Sequence, residues 1–271
     1  MIWIRRFWSL ERKYPRSRRL IWRAFYNIVA WLIPRTDLGF MNWGYVPLDG
    51  ELEIEIGDVV ETDRVFVQLY AYTLSPLEVG GRDVLEVGSG RGGGAAWVAR
   101  CLEPRSMMGV DLAGRAVALA SRIYDGIPRL RFLRGTASRL PLADCSVDVV
   151  VNVESCHHYP SMPDFLAEVH RVLRPGGMLA LSDYRESHEM DVLEAALADS
   201  PFERVRAKPI TANVLAAMDT THEFKEEILR EHVWRGLHTI MRTFMATRGS
   251  EVYRAFDNGD WVYWLYHLRK R

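Results

Sequence analysis

The sequence predicts an α/β fold, a doubly wound and mostly parallel sheet with helical additions at both ends, and three observations predict it. Short apolar runs alternate with helical patterns through the middle of the chain. One of those runs passes into a helix through a cluster of glycines, Gly88 to Gly94. One run, Val147 to Val153, is continuous and β-branched, as a strand buried on both faces requires.

Taken in order, Asp83 to Gly88 reads as a strand ending in a glycine turn, and Gly92 to Leu102 as the helix it enters. Ser106 to Val110 is the second strand, ending at Asp111, and Ala113 to Tyr124 the next helix. Arg129 to Leu133 and Val147 to Val153 read as strands three and four. Met162 to Leu173 is a helix that Arg174-Pro-Gly-Gly177 stops, because proline and glycine directly after the last turn end a helix. Met178 to Ser182 restarts as strand five. Farther on, Phe202 to Pro209 reads as a strand and Ile210 to Met245 as helix broken near Thr220. Trp261 to Leu268, rich in aromatic and β-branched residues, reads as the last strand. Repeated strand–helix units imply right-handed crossovers with helices on both faces.

A chain of 271 residues buries one substantial core, and its hydrophobic fraction of 48% and charged fraction of 26% are ordinary for a soluble globular protein. Thirty-five basic residues balance thirty-five acidic ones, so no global field points to nucleic acid. The charge is nevertheless uneven: residues 1–36 hold nine Arg or Lys, one acid (Glu11), and eight aromatics from Trp3 to Trp31. The charge-free run from Ala24 to Pro34 is about half of the roughly 20 residues a bilayer demands, and no cleavable leader is evident. An amphipathic helix remains, either packed as a lid or lying at a lipid surface with its basic residues toward anionic headgroups. Three cysteines without paired spacing suggest reduced thiols and a cytoplasmic location.

In Glu86-Val-Gly88-Ser89-Gly90-Arg-Gly92-Gly-Gly94, Gly88 allows the tight turn, Gly90 lets a ligand approach the backbone, and Gly92 or Gly93 lets the helix pack closely. The glycines alone fit a nicotinamide dinucleotide equally well. Glu86 separates the two ligands. A carboxylate at the strand tip suits a ligand with a free ammonium and opposes a pyrophosphate. Asp111, with Leu112 beside it, closes the second strand, where an acid accepts hydrogen bonds from both ribose hydroxyls. The expected cofactor is therefore S-adenosyl-L-methionine, on a Rossmann-like core at 68–204. A basic, aromatic helical lid is expected at 1–67, and a helical cap with a sheet-completing strand at 205–271.

These residues, together with Gly135-Thr-Ala-x-x-Leu-Pro-Leu142, Phe165-Leu-x-Glu168 and Leu173-Arg-Pro-Gly-Gly177, resemble the class I methyltransferases that include ubiquinone and menaquinone biosynthesis enzymes. The resemblance covers roughly residues 68 to 185. Met41-Asn-Trp-Gly-Tyr45, the triple glycine, and Asn152-Val-Glu-x-x-His157-x-Tyr-Pro160 are similar to the phthiotriolone and phenolphthiotriolone dimycocerosate O-methyltransferases, which methylate a hydroxyl on a very lipophilic lipid. The resemblance adds Ser89, Thr136, Ala137 and Asn152 to the cofactor side. Where the family usually has Asp-Ala, accepting from the adenine amino group, this chain has Thr136-Ala137, an acceptor without charge.

Methyl transfer from an activated donor requires alignment of the acceptor and removal of its proton if it is a hydroxyl. Titratable groups concentrate after strand four: Glu154, His157 and His158. His157 is expected as general base, since imidazole titrates near neutrality. Glu154 is expected to orient it, Asp183 and Tyr184 to face the acceptor, and His158, pointing elsewhere than His157 if the segment is extended, to bind substrate. Glu154-x-x-His157 with Asp183 as a metal site is the weaker alternative, and no metal is expected. Trp43 and Tyr45 are expected to wall an apolar acceptor pocket. Met218, Phe224, Trp234, His238, Met241 and Phe244 lie at helical spacing and are expected as core. The expected activity is O-methylation of a lipophilic small molecule, polyketide, phenolic or lipid-like. C-methylation of an isoprenoid or quinone-like ring and a membrane-associated binding module are the rivals. A homo-oligomer is left open.

Overall fold

The computed structural model describes residues 39–48, 50–51 and 54–271. The basic, aromatic segment read as a lid or lipid-surface helix lies outside the described residues, as does most of the region assigned to the 1–67 lid. Helix α1 (Glu61–Leu74) runs through the expected boundary at 67/68 and packs on the sheet.

Seven strands form one sheet: β1 (Asp83–Val87), β2 (Ser106–Asp111), β3 (Leu130–Arg134), β4 (Val147–Val153), β5 (Leu173–Glu186), β6 (Phe202–Pro209) and β7 (Trp261–Lys270). Their order is β3-β2-β1-β4-β5-β7-β6. The first five pair in parallel, whereas β7 runs antiparallel to both β5 and β6. The glycine turn falls beside β4, where the order reverses, and open α/β sheets bind ligands at that point.

Alternation along each strand feeds two apolar layers. Val84, Val149, Val151, Tyr263 and Leu265 face one side with Leu69 of α1 and Trp97 of α2 (Gly93–Cys101). Leu85, Val87, Val150, Tyr266 and Leu268 face the other, with Phe165, Leu166 and Val169 of α4 (Met162–Val172). Between α2 and α4 lies α3 (Gly114–Ile123). Each fully buried large side chain contributes on the order of 1.5–3 kcal/mol. These layers are what hold the strand tips rigid.

The fifth strand begins earlier than its sequence suggests. Val147 pairs with Leu173 and Val149 with Met178, so Arg174-Pro-Gly-Gly177 bulges between two ladder positions instead of standing outside the sheet. Arg174 then bridges Asp83 and Asp148, each at 2.9 Å, and Arg105 also pairs with Asp83. This motif clamps the amino ends of β1 and β4, at the edge of the sheet opposite the glycine turn.

After α5 (Met190–Ala198) and β6, four helices form the cap: α6 (Thr211–Thr220), α7 (His222–His232), α8 (His238–Phe244) and α9 (Glu251–Asp257). The break expected near Thr220 falls at Thr221, whose hydroxyl donates to its own helix at Ala217 O. Among the described residues no helix is long and apolar enough to cross a membrane.

Candidate active site

The cofactor half of the site follows from backbone geometry at the end of β1. Gly88 has φ +82°, and a Cβ there would stand 1.9 Å from Ser155 Oγ, so no other residue fits. Gly94 is the second obligatory glycine: a Cβ would meet the Tyr70 ring at 2.0 Å. That close approach lets Tyr70 reach over α2 and donate to Glu86 Oε1 at 2.6 Å. The sequence pattern gave no signal for Tyr70, since its partner lies on another element.

Glu86 is fully buried, and its Oε2 has no hydrogen-bond partner. Burial pushes its carboxyl up to about 7, against the lowering effect of the Tyr70 and Ala95 hydrogen bonds. An orphaned buried oxygen is costly unless something occupies it, and a primary ammonium is the group that would ionise and satisfy it. Asp111 accepts from Gly90 N at 2.8 Å with one oxygen and from Ala113 N at 2.7 Å with the other. Leu112 N adds a third backbone hydrogen bond, and the carboxylate keeps acceptor capacity for a ribose hydroxyl. Burial raises this carboxyl too, and its backbone hydrogen bonds work in the opposite direction.

A cleft opens between these tips. Gly88, Ser89, Gly90, Asp111 and Leu112 line one side, and Thr136 and Ala137 another. The far side carries Glu154, His158 and Tyr159, and Phe40, Met41 and Asn42 form the rim. Three residues expected at the cofactor stand behind it instead, and the first is Glu86, which does not line the cleft although its partner Tyr70 does. Gly92 is the left-handed N-cap of α2, with φ 87°, and does not line the cleft. Asn152, fully buried, donates to Val87 O at 2.7 Å and to Tyr159 Oη at 2.9 Å, tying the turn after β4 to the end of β1. A residue one place before the strand end points into a face of the sheet, so it braces the turn.

The other half of the site sits at the tips of β4 and β5. Glu154 has φ 44°, a conformation uncommon for a side-chain-bearing residue and frequent at functional sites. This twist turns its carboxylate away from His157. Glu154 Oε1 accepts from Trp43 N at 2.9 Å and from Tyr263 Oη at 3.2 Å. Burial pushes it up to about 8. The expectation that Glu154 orients the imidazole is therefore corrected.

Asp183 does so instead. Its Oδ1 lies 2.6 Å from His157 Nδ1, and its Oδ2 accepts from His157 N at 2.8 Å. Burial works to raise the Asp183 carboxyl, but His157 and Arg185 outweigh it and hold it well below the usual carboxylate range. Asp183 is 5% exposed and turned into the protein, so it faces His157 and not an acceptor.

His158 also departs from its expected direction. Residues Cys156–His158 form a 3₁₀ turn, not an extended segment, and the two imidazoles meet with ring centroids 3.8 Å apart and Nε2 atoms 2.9 Å apart. His158, expected at the substrate, lines the cleft, whereas His157, expected as the base there, does not. The metal alternative is not assembled, because Glu154 and His157 turn to different partners. Among the described residues no three His, Cys, Asp or Glu side chains converge as ligands.

The aromatic residues divide. Tyr184 packs on His157 at 4.2 Å and stacks on Trp261 at 5.0 Å, supporting the imidazole from behind. Tyr45 is core: it stacks on Tyr72 at 4.1 Å and donates to Glu51 at 2.8 Å. Trp43 contributes to a second chamber, with Phe66, Phe224, Met241 and Phe244, adjoining the cleft at Phe40, Met41, Asn42 and Arg91. The stripe expected as core thus splits. Met218 is buried, Phe224, Met241 and Phe244 line the chamber, and Trp234 is 76% exposed.

Comparison with known proteins agrees with this geometry. A family model described as a methyltransferase domain matches residues 85–181. Over 253 residues the chain is 35% identical to the phthiotriol/phenolphthiotriol dimycocerosates methyltransferase of Mycobacterium tuberculosis, covering 92% of each. It is 37% identical over 222 residues to the fatty-acid O-methyltransferase of Mycolicibacterium smegmatis, covering 82% of this chain and 79% of that one. In fold it is similar to the geranyl diphosphate C-methyltransferase of Streptomyces coelicolor A3(2), solved with Mg²⁺, geranyl diphosphate and S-adenosyl-L-homocysteine. The TM-score is 0.67 at 18% identity, covering 94% of this chain and 98% of that one. A buried carboxylate with an unpartnered oxygen at the first strand tip, a second carboxylate one strand over and these relatives lead to one conclusion: the chain belongs to the S-adenosylmethionine-dependent methyltransferases.

Proposed function

We propose that the protein O-methylates a lipid-like acceptor, with the hydroxyl proton leaving through His158 and His157. The observation that carries this reading is the array Asp183–His157–His158, which runs from the buried end of β5 to the cleft wall. Lipid acceptors are supported by the relatives, whose names specify phthiotriol dimycocerosates and fatty acids.

When bound, S-adenosylmethionine supplies a methyl group on a sulfonium, an electrophile that needs no further activation. Glu86 and Tyr70 would hold its ammonium, Asp111 its ribose, and Thr136 and Ala137 its adenine. With His157 Nδ1–H donated to Asp183, His157 Nε2 carries a lone pair and accepts His158 Nε2–H. His158 Nδ1, buried in the ligand-free chain, is then the basic atom and meets an acceptor once the ring shifts toward the cleft. It takes the acceptor's proton, His158 passes its Nε2 proton to His157, and Asp183 stabilises the resulting imidazolium as carboxylates do in triads. The acceptor oxygen is left to form the new bond to carbon. General-base assistance of this kind contributes about 10²–10⁴-fold.

His157→Ala and His158→Gln should each lower kcat for a hydroxyl acceptor by about 100-fold and remove the acid limb of the pH–rate profile. Calorimetry should show affinity for S-adenosylhomocysteine within about twofold of wild type. Turnover preserved in both variants would discard the base and favour C-methylation of an intrinsically nucleophilic carbon.

A further inference from the structure

The second chamber holds a charge that the chemistry above leaves unused. Lys225, in the first turn of α7, is 4% exposed, and its Nζ has no hydrogen-bond partner. It lines the chamber formed by Phe66, Phe224, Met241 and Phe244, with Nζ 5.9 Å from the centre of the Phe66 ring. Glu154 is the acid whose field reaches it. Yet Glu154 Oε1 already accepts from Trp43 and Tyr263, and no hydrogen bond joins the two side chains. A buried cation in an apolar chamber is costly unless an anion completes it. Burial accordingly pushes its ammonium down to about 8.

We propose that Lys225 is a recognition site for a carboxylate carried by the acceptor, so that the enzyme selects amphiphilic acids over neutral lipids of equal length. The proposal rests on the reading above only in placing the acceptor beside the cofactor cleft. It concerns how the acceptor is anchored, not which oxygen is methylated. A monoanion fits because one ammonium lacks a hydrogen-bond partner. Asp63 and Arg91 also line the chamber with opposite charges, which leaves the single positive charge of Lys225 for a monoanion. The alkyl chain would lie along Phe224, Met241 and Phe244, where removal of apolar surface from water adds to binding. The site adjoins the cleft through Phe40, Met41, Asn42 and Arg91, so an anchored acid would stand next to the methyl donor.

Calorimetry on the full chain saturated with S-adenosylhomocysteine tests this, using octanoate, 1-octanol and methyl octanoate below their aggregation limits. Wild type should bind octanoate at least about tenfold more tightly than either neutral probe. Lys225→Met should lose that preference while keeping its affinity for the alcohol and for S-adenosylhomocysteine, and Lys225→Arg should retain it. No preference in wild type, or a preference that survives Lys225→Met, would overturn the proposal. A wild-type crystal soaked with 8-bromooctanoate decides the matter if the methionine variant does not fold. A carboxylate within hydrogen-bond distance of Nζ supports the site, and a carboxylate elsewhere overturns it. No turnover enters any of these measurements, so failure of the histidine base would leave them unaffected.

Discussion

At the tips of β1 and β2, the groups that surround the cofactor cleft come largely from one run of chain, Glu86 to Ala113, and much of their work is done by backbone. Gly90 N and Ala113 N fix Asp111, and Gly88 makes the turn. At the tips of β4 and β5, each functional side chain is instead positioned by a residue far away in sequence. Asp183 sets His157, Trp43 and Tyr263 set Glu154, and Lys225 arrives from the cap. The first half is mostly a local motif of two strands, a turn and a helix, completed by Tyr70 from α1. The second is an assembly, and it exists only when five segments are packed. A local motif tolerates little change of shape but is insensitive to the rest of the fold. An assembly tolerates substitution at single positions but loses its chemistry when a distant partner moves.

The largest expected effect tests the local half. Gly88→Ala places a Cβ on Ser155 in a left-handed conformation, and binding of S-adenosylhomocysteine should weaken more than about 100-fold while the far-UV dichroism of the folded chain persists. Binding within tenfold of wild type would show that the turn can yield. Asp183→Asn tests the assembly. It leaves the shape but removes the charge that stabilises an imidazolium, so kcat should fall about 100-fold with cofactor affinity unchanged. Equal losses in kcat and cofactor binding would mean that the two halves are not separable.

Glu86→Gln should weaken S-adenosylhomocysteine by about tenfold, since a neutral amide forms a poorer partner for an ammonium. It also carries a pH signature. Because the folded chain raises Glu86 to about 7, its contribution to stability is complete below the ordinary glutamate range and is lost as pH rises through about 7. The Tm of ligand-free wild type should therefore fall relative to the variant between about pH 5 and 7.5. Parallel Tm curves would refute the buried carboxyl. The smallest effect belongs to Arg174→Ala, about 1 kcal/mol in denaturant unfolding, because its pairs with Asp83 and Asp148 are partly solvated and lie at the opposite edge of the sheet. Catalysis should not change.

Arg174 shows how far a motif can be read. Its Pro-Gly-Gly neighbours announced a helix stop correctly, but a recurring pattern says nothing of which edge of the sheet it serves. Glu86, Gly88 and Asp111 were legible because strand tip, turn and strand tip follow from periodicity alone. The roles of Glu154 and Asp183 were not. Which acid meets His157 depends on the positive φ of Glu154 and on the 3₁₀ turn at Cys156–His158, and both are decided by packing against Trp43, Tyr184 and Tyr263. Tyr45 was misplaced for a similar reason: an aromatic next to Gly44 reads the same whether its ring meets a ligand or Tyr72.

By itself, the sequence determined the alternation of strands and helices, the glycine turn, and the acids Glu86 and Asp111 at the strand tips. Each depends on residue types at short spacings, where backbone sterics and side-chain period leave few alternatives. Tertiary structure alone decided which acid serves which histidine, that Tyr70 completes the Glu86 site, and that Lys225 stands unpaired in an apolar chamber. These are contacts between residues separated along the chain, and only the closed core fixes the distances over which charges and hydrogen bonds act.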